Sequence, residues 1–201
     1  VSAERIATPA GCPWHPDPVR QQLADYRVED LWALPPDAPR VELVDGVVHV
    51  MPFPSVAHQH ISGLLTTWLR SRTPAHLRPT QAVSVGLGVD TSRRPDVLLH
   101  HAGLPSDCCL LKPADVVLAV EIVSPGTRRV DRFAKPGEYA AAGIPFYWRI
   151  EQDPVHLYAY RLGDRIGPGG ERQYELVTDG SEVVELAEPF DIKLPIAEIR
   201  P

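Results

Sequence analysis

The sequence predicts one mixed α/β domain of the α+β kind, and three observations carry that prediction. An amphipathic helix spans roughly Val56 to Arg70, with Ile61, Leu64, Leu65, Trp68 and Leu69 on one apolar stripe. A long apolar strand, Val116 to Val123, leads through a helix-spaced run to a second apolar strand, Phe146 to Ile150, as a strand-helix-strand crossover does. From Val155 onward, short strands follow one another as an antiparallel C-terminal meander. At 201 residues the chain is long enough for one substantial core.

Taken in order, residues 1–22 hold prolines, Cys12 and Trp14 without periodicity and are expected to form an irregular arm, with the single domain occupying residues 23–201. Val28 to Leu34 suits a short helix stopped by Pro35 and Pro36. Val41 to Met51 reads as a hairpin, because Asp45-Gly46 tolerates the positive φ angles of a two-residue turn. Ser55 is placed to cap the Val56–Arg70 helix. Gln81 to Val89 reads as a strand bent near Gly86 and Gly88, Pro95 to His100 as another strand, and Leu104 to Pro113 as a loop. The helix after Val116–Val123 is expected to begin near Pro136, with Lys135 at its cap and Asp131 in the preceding turn. The meander comprises Val155–Arg161, Gln173–Val177, Glu182–Leu186 and Phe190–Leu194, with a glycine-rich turn at Gly167–Gly170.

Composition narrows the function classes. No apolar run approaches the roughly 18 residues of a membrane span, and no signal-like segment opens the sequence. Cys12 and the vicinal pair Cys108 and Cys109 make no disulfide framework or zinc spacing, so a reducing cytoplasm is expected. A net charge of −6 argues against a surface-wide polyanion binder, although Arg93, Arg94, Arg128, Arg129 and Arg132 all fall beside the acids of interest. Lysine is scarce, at Lys112, Lys135 and Lys193, which singles out Lys135 in the middle of a motif.

The chemistry converges on three acids and that lysine. Glu121 interrupts an apolar strand, where an ionised and unpartnered carboxylate would cost several kcal/mol. Strand alternation lets Asp96 and Glu121 share a face if their strands pair, and together they can hold a hard cation through oxygen. Mg²⁺, with Mn²⁺ as a substitute, is the expected ion. Lys135 would then orient water or neutralise developing charge, and Glu42 would complete the site as a ligand or base. On the residues alone, a buried salt bridge between Glu121 and Lys135 or an arginine accounts for Glu121 equally well. Asp131, Lys135 and Tyr139 step by four along one helical face. Asp131 reads most simply as a helix-start acid and Tyr139 as core, while His58 is a candidate lining residue.

The segments VELVDG, RRPDVLL, VEIVSPGTRRVDRFAK and EYAAAGIPFYW resemble the Uma2 family of restriction endonucleases, within the PD-(D/E)xK nuclease superfamily. The resemblance runs from about Tyr26 to about Phe190. It implies a restriction-endonuclease-like core, with a mixed central sheet flanked by helices. It also implies a nucleic-acid substrate, DNA, and Asp96 and Glu121 as Mg²⁺ ligands, with Lys135 as catalytic lysine and Glu42 as accessory acid. The superfamily lysine falls two residues after the glutamate, here Val123, so Lys135 stands in from the helix. Two departures from the family pattern are the Pro-Gly after Lys135 and Glu151 in place of an aspartate. Cleavage of a duplex suits a homodimer on symmetry grounds. The alternative reading is an inactive nuclease-fold binding module, or an accessory subunit of a mobile-element or defence system.

Overall fold

The computed structural model describes residues 14–167 and 170–201. The chain divides into two compact units, one running through Pro52 and taking in Gly88–Ser92, the other comprising Phe53–Leu87 and Arg93–Pro201.

In the smaller unit, α1 (Pro18–Leu23) is capped by Asp17, whose side chain accepts from the N–H groups of Val19 and Arg20. The expected irregular arm is therefore helical from Pro18, because Asp17-Pro18 supplies both a cap and a proline at the first helical position. Residues 1–13, with Cys12, lie outside the described residues. A 3₁₀ turn follows at Val28–Ala33. The hairpin is formed by β1 (Val41–Val44) and β2 (Val47–Val50) around Asp45 and Gly46, at φ 48° and 74°. Gly46 is required twice over, since a Cβ there would sit 1.9 Å from the Ala24 carbonyl oxygen.

In the larger unit, α2 (Val56–Arg72) begins at Ser55, whose hydroxyl accepts from the His58 N–H at 3.2 Å. Ile61, Leu65, Trp68 and Leu69 are buried as the spacing predicts, each stabilising the fold by roughly 1.5–3 kcal/mol relative to exposure. Leu64 is 40% exposed, however, because it lies at the edge of the stripe. The next segment departs from expectation. β3 (Leu77–Gln81) ends at Ala82, which has φ 52°, and β4 (Ser84–Gly86) follows, so no single strand runs from Gln81 to Val89. Pro79 is tolerated because β3 is the edge strand of its sheet.

The two-residue strand β5 (Ser92–Arg93) ends at Arg93, where the chain re-enters this unit, and β6 (Val97–His101) follows. The expected Leu104–Pro113 loop contains a short strand, β7 (Leu110–Leu111), paired in parallel with β4. Then come β8 (Val116–Ile122), α3 (Lys135–Ala141), β9 (Phe146–Gln152), β10 (Val155–Ile166), β11 (Arg172–Gly180), β12 (Val183–Leu186) and β13 (Ile192–Pro195). A 3₁₀ turn at Ile196–Ile199, not evident in the sequence, adds the buried side chains of Ile196 and Ile199 to the core.

The central sheet has six strands in the order β11-β10-β9-β8-β6-β3. Only the β8–β9 pairing within it is parallel, which is why a helix must cross between those two strands. The architecture is thus mixed α/β with a mixed central sheet, and β12 and β13 close it as an antiparallel pair. Alternation sorts the side chains onto two faces. Val97, Leu99, Leu118, Val120, Ile122, Trp148 and Ile150 join the buried face of α2. Leu98, Ala119 and Tyr147 point the other way, to Tyr139 on α3. Every residue of β8 is buried, Glu121 included. No helix among the described residues is long and apolar enough to cross a membrane.

Candidate active site

Glu121 follows Ala119 by two residues and so faces α3. Its Oε2 accepts from Lys135 Nζ at 2.9 Å and its Oε1 from the Tyr139 hydroxyl at 2.6 Å. The lysine reaches it through the local backbone. A π-helical turn, Val130–Ala134, precedes α3, and the Lys135 N–H donates back to the Val130 carbonyl. This wider turn is set ahead of Pro136, which has no N–H to donate. Lys135 consequently opens α3, one residue earlier than expected, with Asp131 in the turn before it.

Asp131 lies at the helix start as the sequence suggests, but the macrodipole is not its main partner. It is buried, its Oδ1 lies 3.2 Å from Lys135 Nζ, and its Oδ2 accepts from the Thr127 hydroxyl. The Oδ1 contact is an ion pair without hydrogen-bond alignment. Burial raises the Asp131 pKa, opposed by the Lys135 charge and the Thr127 hydrogen bond and reinforced by the charge of Asp96. An acid whose pKa is raised on folding adds stability below its unfolded pKa and loses it as pH rises through the folded value. The stability of the wild type relative to Asp131→Asn is therefore expected to fall as pH rises from the ordinary carboxylate range through the raised folded value, as read by urea unfolding. The same burial, reinforced by the charges of Glu121 and Asp131, holds the Tyr147 phenol well above its ordinary pKa. It stays a donor, to the Asp131 carbonyl at 2.7 Å.

Asp96 sits just ahead of β6, and the backbone places it opposite Glu121. Its N–H donates to the Val120 carbonyl at 3.1 Å, and its Oδ2 accepts from the Ile122 N–H at 2.9 Å. These bonds bracket Glu121 on either side, continuing the Val97–Val120 register. From α2, His58 Nε2 approaches Asp96 Oδ2 at 3.1 Å, and the Ser62 hydroxyl donates to the Asp96 carbonyl at 3.4 Å. Gln81 fixes Ser62 in turn, at 2.9 Å. Asp96 Oδ1 accepts no hydrogen bond among the described residues, and the side chain retains 12% exposure.

This donor set fits a hard divalent cation. Mg²⁺ takes only one or two protein carboxylates and fills its other positions with water and phosphate. Among the described residues no three His, Cys, Asp or Glu side chains converge as a complete metal cage. Asp96 Oδ1, which accepts no hydrogen bond among the described residues, and the adjacent Glu121 carboxylate are the oxygen donors such an ion would use.

The flanking arginines are largely committed. Arg93 makes a two-point pair with Glu138 at 2.6 Å, Arg94 donates to the Ala82 carbonyl, and Arg132 grips Glu151 at 2.9 Å through both oxygens. Arg128 and Arg129 remain exposed. Glu42 is buried in β1 of the smaller unit, in register with His49, while Asp96, Glu121 and Lys135 belong to the larger.

Residues 28–197 match the family model Uma2, described as "Putative restriction endonuclease". Among solved structures, the fold resembles that of "a putative nuclease belonging to DUF820" from Anabaena variabilis ATCC 29413, with a TM-score of 0.65 and 17% identity. The match covers 86% of this chain and 96% of that one. No curated protein matches the sequence.

Proposed function

The chain belongs to the Uma2 family, and we propose that it is a divalent-metal-dependent nuclease cleaving phosphodiester bonds in DNA, with residues 23–201 as its nuclease domain. The observation that supports this best is Asp96 held opposite Glu121 across the β6–β8 pairing, with Lys135 on Glu121. Asp96 and Glu121 are the residues that would hold Mg²⁺. When bound, the ion supplies Lewis-acid activation of water and neutralisation of phosphate charge. Tyr139 fixes the Glu121 carboxylate by its hydrogen bond. Glu121 and Asp131 together hold the Lys135 ammonium in place, where it stabilises charge developing on the phosphate. Arg128 and Arg129, exposed on the segment between β8 and α3, are suited to backbone phosphates. Glu42 is assigned an accessory role.

His58 acts through Asp96, in the manner of groups that orient a metal-binding carboxylate. In His58→Ala the Mg²⁺ concentration giving half-maximal cleavage is expected to rise about 10–100-fold, with the rate at saturating Mg²⁺ largely restored. An unchanged Mg²⁺ dependence would remove that role. The function itself is tested by incubating purified protein with plasmid DNA, single-stranded DNA and RNA in Mg²⁺ or Mn²⁺. Cleavage of DNA that chelator abolishes is expected. Intact nucleic acid in all three arms would contradict the proposal.

A further inference from the structure

Beside α3, on the β9–β11 end of the sheet, lies a cavity of about 290 Å³ that the proposed chemistry does not use. Three tyrosines and three arginines line it: Tyr147, Tyr160, Tyr174, Arg132, Arg149 and Arg172. Tyr147 is the middle ring, with centroids 5.7 Å from Tyr160 and 5.6 Å from Tyr174. Tyr147 is fully buried behind the wall, and the Tyr174 hydroxyl donates to the Ile144 carbonyl, which leaves the rings of Tyr160 and Tyr174 as the aromatic surface.

The arginines are less fully paired than their number requires. Arg132 and Arg149 share the single carboxylate of Glu151. Arg149 Nε lies 3.3 Å from it without hydrogen-bond alignment, and the guanidinium packs 4.3 Å over the Tyr158 ring. The acid facing Arg172 is Asp164, at 3.3 Å and exposed. Glu171 also contributes to the wall and offsets one positive charge. The three carboxylates balance the three arginines in charge, so what the guanidiniums offer is N–H donors, Arg149 Nε among them without a hydrogen-bond partner. Flat aromatic surface beside such donors suits a ligand aromatic at one end and anionic at the other. The volume is at the lower end of the roughly 300–1,000 Å³ range of small-molecule sites, room for one such unit rather than a length of strand.

The Pro-Gly that departs from the family pattern belongs to the same wall. Pro136 and Gly137 line the cavity, and a Cβ at Gly137 would meet nothing within 4 Å. A side chain added at Gly137 therefore meets open space at the cavity wall and displaces no neighbour.

We propose that this cavity binds one nucleotide unit, the base against the tyrosines and the phosphate against the arginines. Its source is either a free mononucleotide or a nucleotide unstacked from a bound strand, and the second source rests on the nuclease reading. The test uses the whole protein in chelator, so that no strand is cut. Calorimetry with dAMP, dCMP and inorganic phosphate reads the first source. A single-stranded oligonucleotide carrying 2-aminopurine reads the second, by the fluorescence gained on unstacking. Gly137→Leu fills the cavity while improving helix propensity, so its thermal midpoint should not fall. Tyr160→Ala removes one wall as an independent variant.

Saturable binding in at least one arm is expected, weakened about tenfold or more by both variants, with inorganic phosphate weaker than dAMP or dCMP by a similar factor. A response to the mononucleotides alone assigns the free nucleotide, and a response to the oligonucleotide alone assigns the unstacked one. Absence of any response, or responses that Gly137→Leu and Tyr160→Ala leave intact, would overturn the proposal. Cavity binding without DNA cleavage would sink the nuclease reading only, and cleavage without cavity binding would sink this inference only.

Discussion

Lys135→Met is expected to reduce DNA cleavage by about 10²–10³-fold, the loss typical of removing a group aimed at developing charge. It should also be the most destabilising single substitution in the site. The ammonium is the shared partner of two buried carboxylates, Glu121 at 2.9 Å and Asp131 at 3.2 Å. Methionine keeps most of the volume, so packing changes little and the electrostatic effect dominates. Orphaning a buried charge costs roughly 3–5 kcal/mol, and here two acids lose the same cation. The loss carries a pH signature. The charge of Lys135 is the largest influence opposing the burial that raises the Asp131 pKa. Without it the folded pKa rises further, so the variant approaches wild-type stability under acid conditions and falls away as pH rises into the neutral range. Urea unfolding at about pH 4 and about pH 7 reads this directly. Equal destabilisation at both would show that Lys135 does not hold these acids.

Glu121→Ala is expected to abolish metal-dependent cleavage, because it removes one of the two proposed ligand carboxylates, and at least 10²-fold of the rate is at stake. Its effect on stability should be the smaller of the two. Lys135 keeps Asp131 as a partner, so the cost stays below the roughly 3–5 kcal/mol of a fully orphaned charge. Tyr139 loses its acceptor at 2.6 Å, which adds about 1–3 kcal/mol if the buried hydroxyl finds no other. Plasmid cleavage rates and urea unfolding, measured together, separate the two substitutions. A variant that cuts as fast as wild type would remove Glu121 from the chemistry.

Much of this arrangement is legible in the residues. An acid inside the apolar run Val116–Ile122 needs a partner, and strand alternation lets Asp96 share its face. The four-residue step from Asp131 to Lys135 to Tyr139 places all three on one side of a helix. The pattern does not reveal how deeply Asp131 is buried, because an acid in a first turn is also what the helix dipole favours on a solvated surface. Its partnership with Lys135 depends on a π turn whose wider hydrogen bond has no sequence period of its own. Tyr139 reads as core, and is core, but its hydroxyl engages Glu121. The pairing of His58 with Asp96 joins residues 38 positions apart through the way the start of α2 meets the start of β6, which local spacing cannot express. Pro79 hid β3, since a proline argues against a strand everywhere except at a sheet edge.

Asp96 and Glu121 together are expected to hold a divalent cation beside Lys135. A crystal soaked in Mn²⁺ and measured at the manganese absorption edge tests it most directly. The expected result is an anomalous peak about 2.0–2.4 Å from a carboxylate oxygen of both Asp96 and Glu121, with Lys135 Nζ still at Glu121. No peak at these oxygens under saturating Mn²⁺, with the Lys135–Glu121 pair intact, would contradict the account and leave Glu121 as half of a buried salt bridge.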